Sequence, residues 1–231
     1  MTRAESAKER QTTATQAYDA ILELILDGTI GSGAPLRLQK LSDELGMSMM
    51  PIREALRQLE STGLVERVPH RGAVVRPVSL DDLVDTYRTR ILIEGTLCRR
   101  AALCFDASDE ERAFEALEAQ RRALQDGNPQ EARVHHKAFH YAIYAAAGSA
   151  WLLRSTEQTW HNSERYRIQS EAEDDLLTVR RKEHERILAA CVKHDPDGAA
   201  EALRAHLIST VCHLDVSTGK RLMILTANPY S

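Results

Sequence analysis

The stretch from Leu41 to Val75, LSDELGMSMMPIREALRQLESTGLVERVPHRGAVV, leaves the chain few choices of fold. Its pattern predicts helix, tight turn, helix and then two short strands. The first helix covers about Gln39 to Leu45, and Gly46 stands where a glycine past a helix end stops it. Ser48 is placed to cap the next helix, and Pro51 falls in its first turn, where a missing N–H costs little. Ile52, Ala55, Leu56 and Leu59 recur at i, i+3, i+4 and i+7, which makes one buried face. Arg53 and Arg57 share another face, with Met49 and Met50 near its start. Gly63 closes this helix. Leu64 to Val68 and Ala73 to Arg76 read as strands joined by Pro69, His70, Arg71 and Gly72, where a tight turn favours glycine at position 72. A helix that carries exposed arginines behind a short helix and turn has the geometry that enters a DNA major groove. An ordinary helical hairpin with a solvated arginine face fits the spacing equally well.

Charge bears on that choice. The whole chain of 231 residues is slightly acidic, at −4, so global basicity does not point to nucleic acid. Residues 1–78 hold ten basic and ten acidic side chains, which leaves all of the negative charge on the rest. Any DNA affinity must come from a local patch. Arg53, Arg57, Arg67, Arg71 and Arg76 fall inside residues 51–76 with only Glu54, Glu60 and Glu66 against them. A structural nucleoid protein would need the strong basicity that is absent.

The remaining organisation follows from periodicity and caps. Residues 1–12 are polar and are expected to form a flexible tail. Tyr18, Ile21, Leu22 and Ile25 mark a first helix, stopped by Gly28, with a turn at Gly31 to Pro35. Ser79 to Asp82 has the form of a capping box, with aspartate in the glutamate position, and opens a long helix to about Leu103. Five more helices are predicted, at about 108–126, 129–148, 150–169, 174–193 and 195–217. The expected division is a DNA-binding domain at 13–77, a helical domain at 78–217 and a C-terminal tail at 218–231. The cysteines Cys98, Cys104, Cys191 and Cys212 lack C-x-x-C spacing and suit reduced thiols in a cytoplasmic protein. No apolar run approaches the ~18 residues of a membrane span.

Four histidines lie at helical spacing on apolar faces. His136 and His140 share a face with Ile143 and Ala147; His184 precedes Ile187, Leu188 and Cys191; His206 follows Leu203 and precedes Thr210. One such histidine alone reads as a core residue bonded to a neighbour. Four of them on three helices favour a divalent transition metal, with zinc, nickel and iron all able to accept several imidazoles. His70, His135, His161, His194 and His213 show no such convergence.

PIREALRQLESTGLVERVPHRGAVV closely resembles the winged helix of the GntR family of bacterial transcription regulators, over about residues 15–77. Residues 79–216 resemble the FCD effector domain found behind such winged helices. The resemblance implies a mainly α fold: a winged helix-turn-helix with a β-hairpin wing, then an all-α bundle. It implies double-stranded, palindromic operator DNA as partner, a homodimer, and regulation, with repression expected. The DNA-contacting residues it implies are Ser48, Met49, Met50, Arg53, Arg57, His70, Arg71 and Gly72. The family normally carries S-R-T-P-x-R where this chain has Ser48, Met49, Met50, Pro51, Ile52 and Arg53. His140, His184 (in E-H-x-x-I-L) and His206 match the family's metal histidines, while His136 stands where it usually has aspartate. Zinc or nickel is the metal expected. Arg90 and Glu94 in TRILIEG match an R-x-x-x-E that faces the effector cavity, although an i, i+4 ion pair is the simpler account of their spacing. Tyr87, Asn162 and Arg165, with Trp160, complete the expected contacts to a small organic acid. Six helices in the second part place the chain nearer the vanillate-regulator branch than the fatty-acid-regulator branch. The alternative is a helical metalloenzyme with an accessory DNA-binding domain, in which an open metal position activates water. Glu183 is then the carboxylate closest in sequence, but it is expected to point away from His184.

Overall fold

The computed structural model describes residues 12–168 and 174–227. The tail expected at 1–12 therefore lies, save Thr12, outside the described residues, as do Gln169 and residues 228–231. The chain divides into two compact units, with the boundary between Val78 and Ser79.

The first unit contains α1 (Thr13–Leu26), α2 (Leu38–Leu45), α3 (Met49–Ser61) and the antiparallel pair β1 (Val65–Val68) and β2 (Gly72–Val75). Thr12 caps α1 by accepting from the Thr15 N–H. Gly46 ends α2 in the left-handed region, at φ 63°. The turn into α3 is held by Ser42, whose hydroxyl donates to the Met47 carbonyl at 2.6 Å. Ser48 occupies the cap position of α3 with an extended backbone, but its side chain makes no capping hydrogen bond, so its hydroxyl is left for other partners. The core is the expected one: Tyr18, Ile21 and Ile25 of α1 meet Leu41 of α2, Ile52, Leu56 and Leu59 of α3, and Val65 and Val75 of the hairpin. The hairpin pairs Val65 with Val75 and Val68 with Gly72. The turn at Gly31–Pro35 runs on alongside β2: Leu36 N–H donates to Ala73, Val75 N–H to Ala34 and Gly33 N–H to Val75. The wing is thus anchored on its second edge as well.

Among the described residues the second unit is all helix: α4 (Leu80–Ala102), α5 (Ala107–Gln125), α6 (Pro129–Ala146), α7 (Ala150–Ile168), α8 (Asp174–Val192), α9 (Pro196–Leu214) and α10 (Val216–Leu225). Helix α4 is central and packs against α6, α7, α8, α9 and α10. Its inward face is apolar at Leu83, Ile91, Leu97 and Cys98, yet it also buries Tyr87, Arg90 and Glu94. Buried charges inside a bundle need partners, and the histidine helices supply them.

Three expectations need correction. Ser79 accepts from Asp82 N–H, but the reciprocal half of the capping box is missing. The Ser79 N–H goes to the Tyr166 hydroxyl, and the Asp82 carboxylate accepts from Tyr166 and Asn162 instead. A complete box does form at α5, between Asp106 and Asp109, so the cap lies two residues before the Ser108 start that the sequence suggests. Residues 218–225, read as tail, belong to α10. Asp215 ends α9 and at once caps α10 by accepting from Thr218 N–H. Gly219 makes the return possible, because a Cβ there would lie 2.8 Å from the Cys212 Cα. Among the described residues the second unit has seven helices rather than six, so the count does not support placement nearer the vanillate-regulator branch.

Candidate functional site

Helix α6 brings His136 and His140 inward one turn apart; α8 brings His184 and α9 brings His206. All four are buried, at 3, 0, 2 and 4% exposure, and one ring nitrogen of each lies within 4.8 Å of the others. The His140 and His184 Nε2 atoms are 3.3 Å apart. Phe139 and Trp160 form the surrounding walls, with ring centroids 4.9 Å from His184 and 5.4 Å from His140.

Two of the rings have their tautomers set by neighbours. The Tyr144 hydroxyl donates its single proton to Glu94 Oε2 at 2.6 Å, so toward His140 Nδ1, at 3.2 Å, its oxygen can only accept. His140 therefore carries its proton on Nδ1 and has a bare Nε2. His206 Nδ1 lies 2.8 Å from Glu183 Oε2 and donates to it, which again leaves Nε2 bare. Burial, then the neighbouring charges and imidazoles, pushes His136, His140 and His184 well below the ordinary histidine range. Burial also lowers His206, although Glu183 partly opposes it. Burial opposes the Glu183 charge most strongly, but the hydrogen bond and charge of His206, with Ser209 and His213, together outweigh it and hold the carboxyl below its usual range. Neutral rings converging on one point, with bare Nε2 atoms on His140 and His206, are the kind of donor set a divalent transition ion takes. Nitrogens bound to one ion at ~2.1 Å can be no more than ~4.2 Å apart. The widest pair, at up to 4.8 Å, would have to close by at least ~0.6 Å to meet that limit, and with that movement the residues fit a metal.

His136 differs from the other three. Both of its ring nitrogens lie 3.2–3.3 Å from Arg167 Nη1, and Arg167 also faces Glu164 at 3.0 Å. Arginine only donates, so the His136 nitrogen it engages must accept.

Arg90 and Glu94 form a buried bidentate pair at 2.7 and 3.0 Å, and Arg90 Nη1 donates to Ser163. Burial works against the Arg90 charge, but Glu94 outweighs it and holds the guanidinium above its ordinary value. The guanidinium stacks 4.7 Å from the Trp160 ring and 5.3 Å from that of Tyr87. Glu94, Tyr144, His140 and His184 then form one hydrogen-bonded chain out of this pair. Asn162 is committed elsewhere: it donates to Asp82 and Thr86 and accepts from Arg165. Tyr87 is fully buried and its hydroxyl has no hydrogen-bond partner. A cleft of about 870 Å³ between α5, α6 and α8 reaches His136 and His184.

The spacing argument missed Tyr144 and Arg167, and it gave Glu183 no role toward His206. Tyr144 stands one turn after His140, a signal that was available. Glu183 faces away from His184 as expected, but that direction brings it to His206 on the next helix, which only the packing reveals.

In the first unit, α3 presents Met49 and Met50, 48% and 73% exposed, and the exposed Arg53 and Arg57. Arg57 lies 3.9 Å from Glu54, whereas Arg53 forms no ion pair among the described residues. His70, Arg71 and Gly72 form the exposed tip of the wing, with φ 63° at His70 and 76° at Gly72. Arg67 is held by Glu60 at 2.8 Å.

Comparison with known proteins agrees with both halves. The sequence model of the gntR family of bacterial regulatory proteins matches residues 13–75, and that of the FCD domain matches residues 85–209. The chain is 32% identical over 201 residues to a probable D-xylose utilization operon transcriptional repressor of Paenarthrobacter nicotinovorans, covering 86% of this chain and 87% of the relative. It is 27% identical over 214 residues to the HTH-type transcriptional repressor GlaR of Escherichia coli, covering 86% and 94%. Among solved structures, E. coli McbR/YncC has the same fold, with a TM-score of 0.77 at 23% identity over 90% of this chain and 99% of that one. Among the described residues no helix is long and apolar enough to cross a membrane. The metalloenzyme alternative finds no support in these relatives. The chain belongs to the GntR family of bacterial regulatory proteins, with an FCD domain behind its winged helix, and is a transcription regulator rather than an enzyme.

Proposed function

We propose that the protein is a homodimeric, ligand-responsive repressor whose operator affinity is set by a small organic acid bound beside a metal held by His136, His140, His184 and His206. The observation that carries this reading is the buried set of imidazoles, two of them with tautomers set by Tyr144 and Glu183. Such orienting partners typically matter 10–100-fold to metal affinity. The bound ion would supply a positive charge able to attract an acidic ligand. The protein's own residues do the rest: Arg90 and Glu94 hold Tyr144 in place, Trp160 and Phe139 exclude water, and the neutral His140 and His206 rings keep their Nε2 lone pairs available. Two relatives described as repressors support repression as the direction of control.

In the first unit, α3 would enter the major groove with Arg53 at the base edges, and the wing tip at His70, Arg71 and Gly72 would meet the backbone or minor groove. Ser48, Met49, Met50 and Arg57 complete the contact surface. The free Ser48 hydroxyl suits a phosphate contact, and the unpaired Arg53 guanidinium can reach a base without breaking an ion pair. The ligand regulates only by binding one arrangement of the dimer more tightly than the other.

The test is metal analysis of purified protein, with an operator gel-shift before and after chelation. About one transition ion per chain is expected, together with operator affinity that responds to small carboxylic acids only in the loaded protein. Metal-free protein that takes up neither zinc nor nickel would refute the metal reading. An operator affinity indifferent to every acid would refute the effector reading.

A further inference from the structure

The first turn of α3 carries a chemistry that DNA contact alone does not use. Three of the chain's five methionines fall at positions 47, 49 and 50. Met47 is half-buried and packs against the core of the first unit. Met49 and Met50 are instead 48% and 73% exposed, beside a Ser48 that makes no capping bond. Arg53 lies four residues after Met49 and three after Met50, so the three side chains share one stripe of the helix. Arg53 has no ion pair among the described residues, whereas Arg57 faces Glu54 at 3.9 Å. Met223, on α10, is 49% exposed and provides a matched methionine outside this unit.

A thioether sulfur that solvent reaches is open to two-electron oxidants such as peroxides. Its lone pair attacks one peroxide oxygen; an S–O bond forms and the O–O bond breaks. The sulfur loses two electrons, and the departing hydroxide takes the proton of the transferred oxygen and leaves as water. The product, a sulfoxide, replaces a soft apolar end with a polar acceptor. Its placement here has two effects. An apolar end suits a thymine methyl in the major groove, whereas a sulfoxide oxygen suits the exocyclic amine of adenine or cytosine. The same oxygen, at i, i+3 or i, i+4 to Arg53, gives that unpaired guanidinium an acceptor within its own helix, in competition with a base.

We propose that Met49 and Met50 are a peroxide-sensitive modification site in the recognition helix, whose oxidation weakens binding to the operator of the unmodified protein and moves base preference away from thymine. The inference rests on the reading that α3 enters the major groove, and it adds a second control that is independent of the histidine site. Bound DNA covers the two sulfurs, so the DNA-free protein is the form that is modified.

The test uses full-length protein and a duplex that it selects from random DNA. Hydrogen peroxide treatment is followed by dithiothreitol, which reverses cysteine sulfenic acids and disulfides but not sulfoxides. Affinity for the duplex is expected to fall at least ~five-fold, the lower end of what one lost base contact costs, and to stay low after dithiothreitol. Methionine sulfoxide reductases should restore it. The double variant Met49→Leu, Met50→Leu keeps the apolar bulk and should bind alike before and after peroxide. The double variant Met47→Leu, Met223→Leu should stay as sensitive as the parent. Selection repeated with oxidised protein should lose a thymine that the parent selects, and an unchanged selected sequence would overturn the shift in preference. The inference is overturned if peptide mass spectrometry finds both sulfoxides while affinity is unchanged, or if dithiothreitol alone restores binding. It is also overturned if the variant at 49 and 50 remains sensitive, or if the variant at 47 and 223 loses its sensitivity. Protection by DNA separates this inference from the reading beneath it. The duplex should slow oxygen uptake at Met49 and Met50 and not at Met223. Protection of neither sulfur sinks the α3 reading together with this inference. Protected sulfurs whose oxidation changes nothing sink this inference alone.

Discussion

Tyr144→Phe removes one oxygen atom and tests the logic of the whole histidine site. That oxygen is fully buried and joins two systems, the Arg90–Glu94 pair at 2.6 Å and His140 Nδ1 at 3.2 Å. Hydrogen bonds to charged groups contribute about 1.5–3 kcal/mol, and a buried ring N–H left without an acceptor costs ~1–3 kcal/mol. The two are not additive, because the Arg90 guanidinium still neutralises Glu94. A loss of ~3 kcal/mol in chelator-treated protein is the working figure. At an m-value of ~2 kcal/mol per M urea that lowers the midpoint by about 1.5 M. The second consequence is independent of the first. Without the phenol, His140 is free to carry its proton on Nε2, and ligation must first reverse that choice. Zinc affinity, measured by competition with a chromophoric chelator, is expected to fall 10–100-fold. A stability loss with unchanged zinc affinity would refute the tautomer argument while leaving the packing intact. If neither quantity moved, the hydrogen-bonded chain from Glu94 to His184 would have no energetic reality.

Other consequences follow from the same geometry. Arg53→Ala should weaken specific operator binding by about 1–3 kcal/mol at fixed salt without changing fold or oligomeric state; equal affinity by gel-shift would exclude a base contact. Arg71→Ala should weaken binding to many sequences alike and reduce the slope of affinity against salt, whereas a changed preference at one base would reassign the wing. Selection from random DNA should show a relaxed or altered base where Met49 and Met50 replace the family's usual arginine and threonine, since methionine can meet a thymine methyl but makes no bidentate contact to guanine. Acid should unfold the chelator-treated protein early. The folded rings stay neutral while the unfolded chain takes up protons near pH 6.5, so stability present above that pH is lost below it, by up to ~1.4 kcal/mol per pH unit for each ring. A urea midpoint constant from pH 7 to 5.5 would contradict this.

The winged helix was legible because each signal in it is local. Gly46 past α2, Ile52 to Leu59 at helical spacing and Gly72 in the wing turn act on their own neighbours, so the chain order already contains the structure. The histidines were legible for a related reason: an i, i+4 pair on an apolar face has one direction to point. Helix α10 failed that test. Its inner face is made of Thr218, Gly219 and Leu222, small or polar at two of three places, while Val216, Met223 and Ile224 are exposed. Apolar periodicity therefore points to the wrong side, and close approach through Gly219 replaces apolar bulk. Ser79 and Asp82 mislead in the opposite way. The box motif is present, but Tyr166 and Asn162, eighty or more residues on, offer better partners. The charged residues were hardest to read. Arg90 and Glu94 have the same spacing as any surface pair, and only packing against Trp160, Ser163 and Tyr144 turns them into the support of the site.

The histidine at position 136 couples metal to anion more tightly than an aspartate would. A neutral imidazole has one bare nitrogen, and Arg167 Nη1, 3.2–3.3 Å from both ring nitrogens, engages whichever one is bare. His136 can ligate an ion only when Arg167 gives up that lone pair. An anion in the adjoining cleft would draw Arg167 toward itself and release the ring, so each ligand should favour the other, by the same factor in both directions. An aspartate has two oxygens with about four acceptor sites, enough for arginine and ion together. It also returns one negative charge to the place where the acid binds. His136→Asp should therefore bind zinc more tightly in the absence of acid, bind the acid more weakly, and lose most of the coupling between them. Zinc titrations with and without a small carboxylic acid that alters operator affinity measure all three. If the variant and the parent showed the same coupling, Arg167 would not be the link. Tighter acid binding in the aspartate variant would refute the charge argument outright, because the sign depends on charge alone while the size depends on the local dielectric.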